Sequence, residues 1–195
     1  MPTIGKLTMI RCALCFLTFA CICPIFSEDS DRKATWATLL KLEGVENFFR
    51  VSDRLYRSAQ PTDSGMKKLK DVGVVTVINL RAFHNDRKST AEAGLLNEEL
   101  SVNTWHCEDE DVIRVMKILS HPENGPFLIH CQHGSDRTGL MIAMYRIIYQ
   151  NWSKDEALDE MVNGGFGYHS IWRNIISYLK KVDIESLKKQ IQTKE

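Results

Sequence analysis

The stretch from Phe127 to Gln150 constrains the fold more than any other part of this sequence. Phe127-Leu128-Ile129 is a short apolar run, a glycine-containing loop follows, and Thr138 to Gln150 then carries Leu140, Met141, Ile142, Met144, Ile147 and Ile148 nearly all round a helical wheel. A strand with no polar alternation is covered on both faces. A helix with no polar face is surrounded by other elements. The two joined directly belong in the interior of an α/β domain. The 195 residues are enough for one such domain with a full core.

The rest of the chain supplies the layers around this pair. Phe48 to Val51, a turn at Ser52-Asp53, and Arg54 to Ser58 read as a hairpin. A helix starts at Pro61-Thr62, with Thr62 as N-cap, and ends at Gly73. Val74 to Leu80 is rich in β-branched residues and reads as a buried strand. Ser89 and Glu92 have capping-box spacing, which predicts a helix to about Leu100, and Ser101 to Trp105 reads as a short strand. Helices are predicted over Asp109 to Ser120, from the Ser153/Glu156 capping box to Gly164, over 169–182 and over 184–192. The expected fold is α/β, a central four- to five-stranded, mostly parallel sheet flanked by helices.

Residues 1–27 have a different character. Lys6 and Arg11 precede a largely apolar run from Cys12 to Phe26, no acid occurs before Glu28, and Pro24 interrupts a run too short to span a bilayer. This is the pattern of a secretory signal peptide cut after Ser27, with an uncleaved anchor as the alternative. The expected organisation is a signal peptide at 1–27, a linker with a short helix around Trp36 at 28–45, the main domain at 46–182, and a C-terminal helix and tail at 183–195. The expected location is periplasmic or otherwise exported, with membrane contact only through an uncleaved signal. Twenty-five basic and 25 acidic side chains give zero formal charge, so no nucleic-acid partner is expected. Cys12, Cys15, Cys21 and Cys23 lie in the leader; Cys107 and Cys131 remain, too few for a disulfide scaffold and without the spacing of a structural zinc site, so no metal is expected.

The chemistry concentrates in His130-Cys131-Gln132-His133-Gly134-Ser135-Asp136-Arg137-Thr138-Gly139. Five residues between cysteine and arginine let the backbone curl into a cup whose N–H groups form an anion nest. Gly134 permits the conformation such a cup needs. The following helix brings its positive end to the same centre. Arg137 can grip two phosphate oxygens through its planar fork. Such a field favours a Cys131 thiolate, a nucleophile ready for attack on phosphorus. Thr138 can hydrogen-bond that sulfur, His130 orients the loop, and His133 is a polar loop residue. The plain alternative for Cys131 is a buried structural cysteine.

That segment resembles the phosphate loop of the protein tyrosine/dual-specificity phosphatase superfamily, in its compact bacterial exported branch. Tyr56-Arg57-Ser58-Ala59-Gln60-Pro61, Val77-Ile78-Asn79-Leu80-Arg81, Asn151-Trp152-Ser153 and Gly164-Gly165-Phe166-Gly167 are similar to segments of the same branch, so the likeness runs over roughly residues 45–180. The resemblance implies Cys131 as nucleophile and Arg137 as phosphate binder, with the backbone of Gln132, His133, Gly134, Ser135, Asp136 and Arg137 forming the cup. It implies a cysteinyl-phosphate intermediate, no cofactor, and a phosphorylated protein as substrate, envelope-associated, with phosphotyrosine ahead of phosphoserine or phosphothreonine. Asp136 and the lack of lysine in the loop weigh against inositol phosphates.

The resemblance also calls for a general acid upstream, within Trp105-His106-Cys107-Glu108-Asp109-Glu110-Asp111. Asp109, where this loop meets the next helix, is the choice, with Asp111 and Glu108 as alternatives. An acidic first helical turn is favourable on its own account. Cys107 on the same loop is either an unpaired cysteine or the partner of Cys131 in a reversible disulfide. Two further readings compete with phosphatase: sulfur transfer or arsenate reduction, and a phosphoprotein-binding module without turnover.

Overall fold

A computed structural model describes residues 33–193. The expected signal peptide and the four leader cysteines lie outside the described residues. The strands are β1 (Thr38–Leu39), β2 (Phe49–Ser52), β3 (Leu55–Ser58), β4 (Thr76–Arg81), β5 (Leu96–Val102) and β6 (Phe127–His130). They form one sheet in the order β1-β2-β3-β6-β4-β5. The β1, β2 and β3 strands pair antiparallel, while β3, β6, β4 and β5 pair parallel. The α/β class and the parallel centre are as expected, and the two-residue β1 adds a sixth strand at the edge.

Strand alternation sends successive side chains to opposite faces. In β6, Phe127 and Ile129 enter the larger apolar cluster and Leu128 the smaller; in β4, Ile78 and Leu80 go one way and Val77 the other. Helices cover both faces. Met66 and Leu69 of α1 (Asp63–Asp71) fill the smaller cluster, near α2 (Arg87–Ala93). The larger is filled from α3 (Asp109–Leu119), α4 (Asp136–Gln150), α5 (Lys154–Asn163), α6 (Arg173–Lys181) and α7 (Ile184–Gln192). As its composition requires, α4 is the central helix, with Leu140, Met141, Ile142 and Met144 all but inaccessible. Leu187 of α7 is buried in the same cluster, and Val45 is buried in the other. The apolar core therefore reaches past both ends of the 46–182 segment.

Local signals set most helix ends. The Thr62 side chain accepts from Gly65 N at 3.0 Å, and Ser153 and Glu156 form a reciprocal capping box. Two expectations need correction. The helix predicted to Leu100 stops at Gly94, which takes a left-handed φ of 68°. Its N-cap is Asp86, and the Ser89 hydroxyl instead donates to Asp63. Residues 96–102 form β5, because the open edge of β4 offers a parallel partner, and pairing overrides helix propensity. The short helix expected around Trp36 is replaced by a turn leading into β1. There the Ala37 amide donates to Glu160 Oε1 at 2.7 Å, and Thr38 and Leu39 pair with Arg50 and Phe49.

Glu160 belongs to a buried ion pair that joins three elements. Arg146 Nε and a terminal guanidinium nitrogen donate to the two Glu160 oxygens at 2.8 and 2.7 Å. The other terminal nitrogen reaches the Val51 carbonyl, and the guanidinium lies 4.3 Å from the Trp152 ring centroid. This network fixes α4 to α5 and to the β1-β2 edge, and so fixes the helix that carries Arg137.

Candidate active site

The parallel strands β3, β6 and β4 end side by side at Ser58, His130 and Arg81. Ligands in α/β sheets bind beyond such carboxyl ends. Here β6 runs into the loop 131–135, and α4 begins at Asp136. Gly134 adopts φ +70°, and a Cβ at that position would lie 2.5 Å from Ala59 N and from the Ser58 carbonyl carbon and oxygen. The loop closes against the end of β3 only because this residue is glycine. Arg57, fully buried, donates to the Gly134 carbonyl at 2.7 Å while its guanidinium stacks 3.6 Å from the Phe166 ring centroid. Ser135 donates to the Phe166 carbonyl at 2.7 Å, and Asn47 Nδ2 donates to the carbonyls of His133 and Phe166.

With its carbonyls held from outside, the loop leaves its donors unused. Among the described residues, no acceptor takes a hydrogen bond from the backbone N–H of Gln132, His133, Gly134, Ser135, Asp136 or Arg137. Unpaired N–H groups are rare where the backbone is buried, and a run of them is what an anion nest consists of. Arg137 closes the run. Its guanidinium donates to the Leu80 carbonyl at 3.3 Å. Cys131 is 2% exposed, with a free thiol. The Thr138 hydroxyl is fully buried and makes no hydrogen bond.

Behind the loop lies a buried carboxylate–imidazole pair. His130 Nε2 stands 2.8 Å from Asp86 Oδ2, with the two side chains 0% and 3% exposed. Gln60 donates to the other Asp86 oxygen at 2.8 Å, and the Arg81 guanidinium donates to Gln60 Oε1. Burial pushes the Asp86 carboxyl up, but the bond and charge of His130, with Gln60 and His84, more than reverse it. Its pKa therefore sits below the ordinary 3.8. Asp86, Gln60 and Arg57 escape motif reading, although Arg57, Gln60 and Arg81 fall in segments that carried the family resemblance.

In front of the loop is a cleft of about 500 Å³, lined by Arg81, Ala82, Gln132, His133, Asp136, Arg137, His169, Ile171 and Trp172. Asp136 does not face it freely. One of its oxygens accepts from the His169 amide at 2.9 Å, and the other stands 2.8 Å from His169 Nδ1. The His133 and His169 rings meet edge to face at 5.5 Å.

The acidic loop packs on α6. Asp109 opens α3, and its Oδ1 accepts from the Tyr178 hydroxyl at 2.8 Å; burial and this bond push the Tyr178 pKa far up. Asp111 pairs with Arg114 and Glu108 with His106. None of the three lines the cleft. Cys107 meets Asn174 Nδ2 at 3.7 Å, and burial raises its thiol to about 11. Among the described residues, no group of three or more His, Cys, Asp or Glu side chains is arranged to hold a metal ion.

Comparison with known proteins places this geometry. A family model described as "DSP-PTPase phosphatase fused to NAD+ Kinase" matches residues 34–177. The dual specificity protein phosphatase TpbA of Pseudomonas aeruginosa is 37% identical over 158 residues, which span 80% of this chain and 71% of TpbA. The crystal structure of P. aeruginosa TpbA superposes with a TM-score of 0.74 at 34% identity, over 82% of this chain and 98% of that one. A TpbA crystal structure in complex with phosphotyrosine also gives 0.74, at 33% identity, over 84% and 99%. The cup built on Gly134 thus sits in a fold and a sequence that agree on its origin: the chain belongs to the DSP-PTPase family of dual-specificity and protein tyrosine phosphatases.

Proposed function

We propose that this enzyme hydrolyses phosphotyrosine in proteins, with Cys131 as nucleophile and Arg137 as phosphate clamp. The observation that carries the reading is the row of unused N–H groups from Gln132 to Arg137, laid between a buried cysteine and an arginine. Phosphate oxygens would take up those donors, and Arg137 would add a charged fork. The sulfur attacks phosphorus in line, and the ester oxygen leaves with its electron pair. Water then displaces the sulfur from the cysteinyl-phosphate. The buried Thr138 hydroxyl can donate to the departing thiolate. The amides and guanidinium supply the positive field in this reading, so no metal enters a step.

Phosphotyrosine is favoured as the substrate by two points. TpbA, a relative at this level of identity, has been crystallised with it. The cleft lining includes Ile171 and Trp172, apolar surface suited to an aromatic ring. An exported location, with envelope phosphoproteins as targets, rests on the residue pattern of 1–27 alone, and fractionation of cells producing the tagged chain tests it.

The direct test is turnover of a phosphotyrosine peptide by the purified chain, in chelator, beside Cys131→Ser. Hydrolysis that is abolished in the variant, with phosphate trapped on sulfur in quenched wild type, supports the reading. Hydrolysis that survives the substitution sinks it.

A further inference from the structure

We propose that His169, clamped by Asp136 at the mouth of the cleft, is the catalytic residue that exchanges the proton with the leaving oxygen and then with water. This rests on the phosphatase reading above and departs from the expectation that Asp109 does so.

The leaving oxygen of an alkyl or aryl ester needs a proton as its bond to phosphorus breaks. The ionisable groups that line the cleft are Arg81, His133, Asp136, Arg137 and His169. The two guanidiniums keep their protons at any working pH. Asp136 has both oxygens occupied by His169 and is 7% exposed. The nearby Tyr168 hydroxyl donates to the Trp172 carbonyl, and burial, with the Asp136 and Cys107 charges, pushes its pKa up to about 12. Two imidazoles remain, and they are not equivalent. Among the described residues, nothing binds the ring nitrogens of His133. His169 is anchored twice to one carboxylate, through its amide and through Nδ1.

That anchoring decides the chemistry. A carboxylate at 2.8 Å from Nδ1 fixes the proton on that nitrogen. Nε2, on the opposite edge of the ring, makes no hydrogen bond among the described residues, and the side chain is 49% exposed. Asp136 is the residue before Arg137 and the first of α4, so the clamp that holds the imidazole is continuous with the group that holds the phosphate. Asp109, by contrast, has its carboxylate engaged by Tyr178.

The proton balance closes over two steps. In the first, the Cys131 thiolate forms the S–P bond, and the P–O bond to the leaving group breaks with its electron pair on oxygen. That oxygen takes the proton from His169 Nε2–H, leaving neutral imidazole. In the second, water attacks phosphorus and the S–P bond breaks with its pair returning to sulfur. His169 Nε2 accepts the proton from water, which restores the imidazolium. Asp136 is the positioning residue throughout.

The test uses the full chain and four substitutions: His169→Gln, His169→Asn, Asp109→Asn and His133→Gln. Each is assayed from pH 5 to 9 on phenyl phosphate and on p-nitrophenyl phosphate, whose leaving group needs little protonation. His169→Asn keeps an N–H where Nδ1 stood, so it can hold the Asp136 clamp while lacking Nε2. The expected result is that both His169 variants lose about 10²–10³-fold in kcat/KM on phenyl phosphate and much less on the nitrophenyl ester, with the alkaline limb of the pH profile gone. Asp109→Asn and His133→Gln keep the wild-type leaving-group dependence. Equal losses on both esters, an unchanged pH limb, or full activity in His169→Asn means that His169 only ties a loop to α4. A steep leaving-group effect in Asp109→Asn returns the role to that residue. Failure of the phosphatase reading shows separately, as wild-type turnover that does not need Cys131.

Discussion

The Arg57 guanidinium holds the Gly134 carbonyl at 2.7 Å from beneath the phosphate loop. It turns that carbonyl away from the loop interior while Phe166 covers its face at 3.6 Å. A carbonyl released into the cup would repel phosphate. Arg57→Met keeps the stem packed but removes the bond. Loss of a hydrogen bond to a charged group at a buried site costs about 1.5–3 kcal/mol. The expected outcome is a fall of that size in denaturant-unfolding stability, with kcat on aryl phosphate reduced as well. Wild-type kcat in a destabilised but folded Arg57→Met would show that the loop keeps its shape unaided.

Gly134→Ala addresses the same loop from its backbone. The new methyl would enter space already held by Ala59 N and the Ser58 carbonyl, at a φ of +70°. Backbone at a strand end cannot swing aside as a side chain can. Strain at such a position alone costs about 1–3 kcal/mol, and the clash adds to it. The protein should still fold, because the core clusters do not include this residue. Turnover should drop to near the Cys131→Ser level, since the N–H groups can no longer converge. Circular dichroism and an aryl phosphate assay on the same sample decide it.

Asp86 makes a pH prediction with a definite sign. Its folded pKa lies below the ordinary 3.8: burial pushes it up, but His130, Gln60 and His84 together more than reverse that. A depressed carboxylate contributes stability that is fully present above its unfolded pKa and is lost as pH falls through the folded value. The stability gap between wild type and Asp86→Asn should therefore be flat from neutral pH down to about 4 and narrow below that. Unfolding curves at several pH values between 2.5 and 7 measure it. A gap that widens on acidification would mean the pair stabilises the protonated carboxyl instead.

How far the sequence could be read depends on whether a feature is local. The run Phe127 to Gln150 was legible because apolar composition on all sides of a strand and a helix admits only an interior position. The cup was legible because its glycine and its cysteine–arginine spacing lie in one segment. β5 was not, since Leu95-Leu96-Asn97-Glu98-Glu99-Leu100 consists largely of good helix formers, and what decides its state is the edge of β4. The role of Asp109 was not legible, because an acid in a first helical turn looks the same whether it serves the helix dipole, Tyr178 or a substrate. His169 had no signal at all: its meaning comes from Asp136, 33 residues earlier in the chain.

Cys107 separates two fates for a loop thiol. Burial, partly offset by the Asn174 bond and supported by the Asp111 charge, raises it to about 11. A thiol protonated at neutral pH is a poor nucleophile for disulfide exchange. Peroxide-inactivated Cys107→Ser should therefore regain activity with added thiol as fully as the wild type does. Iodoacetamide at pH 8 should label Cys107 slowly in the folded chain. Recovery of the wild type alone would establish a protective pairing of Cys107 with Cys131.

The Arg146–Glu160 pair gives the largest expected stability effect away from the loop. Both side chains are almost inaccessible, at 4% and 2% exposure, and Glu160 also accepts the Ala37 amide. Removing one charge strands the other in a low-dielectric interior, which typically costs about 3–5 kcal/mol. Glu160→Gln keeps the shape and one acceptor oxygen, so it should fall at or below the lower end of that range; Glu160→Ala should reach it. Because the pair pins α4, which carries Arg137, to α5 and the β1-β2 edge, kcat should decline with stability. KM for aryl phosphate should stay within about threefold if the cup itself is intact, since a lost kcat at constant KM marks a transition-state effect. Guanidinium unfolding and steady-state kinetics on the two variants test both parts. A Glu160→Ala protein as stable as the wild type would mean that the Trp152 stack and the Val51 carbonyl suffice to hold the Arg146 charge.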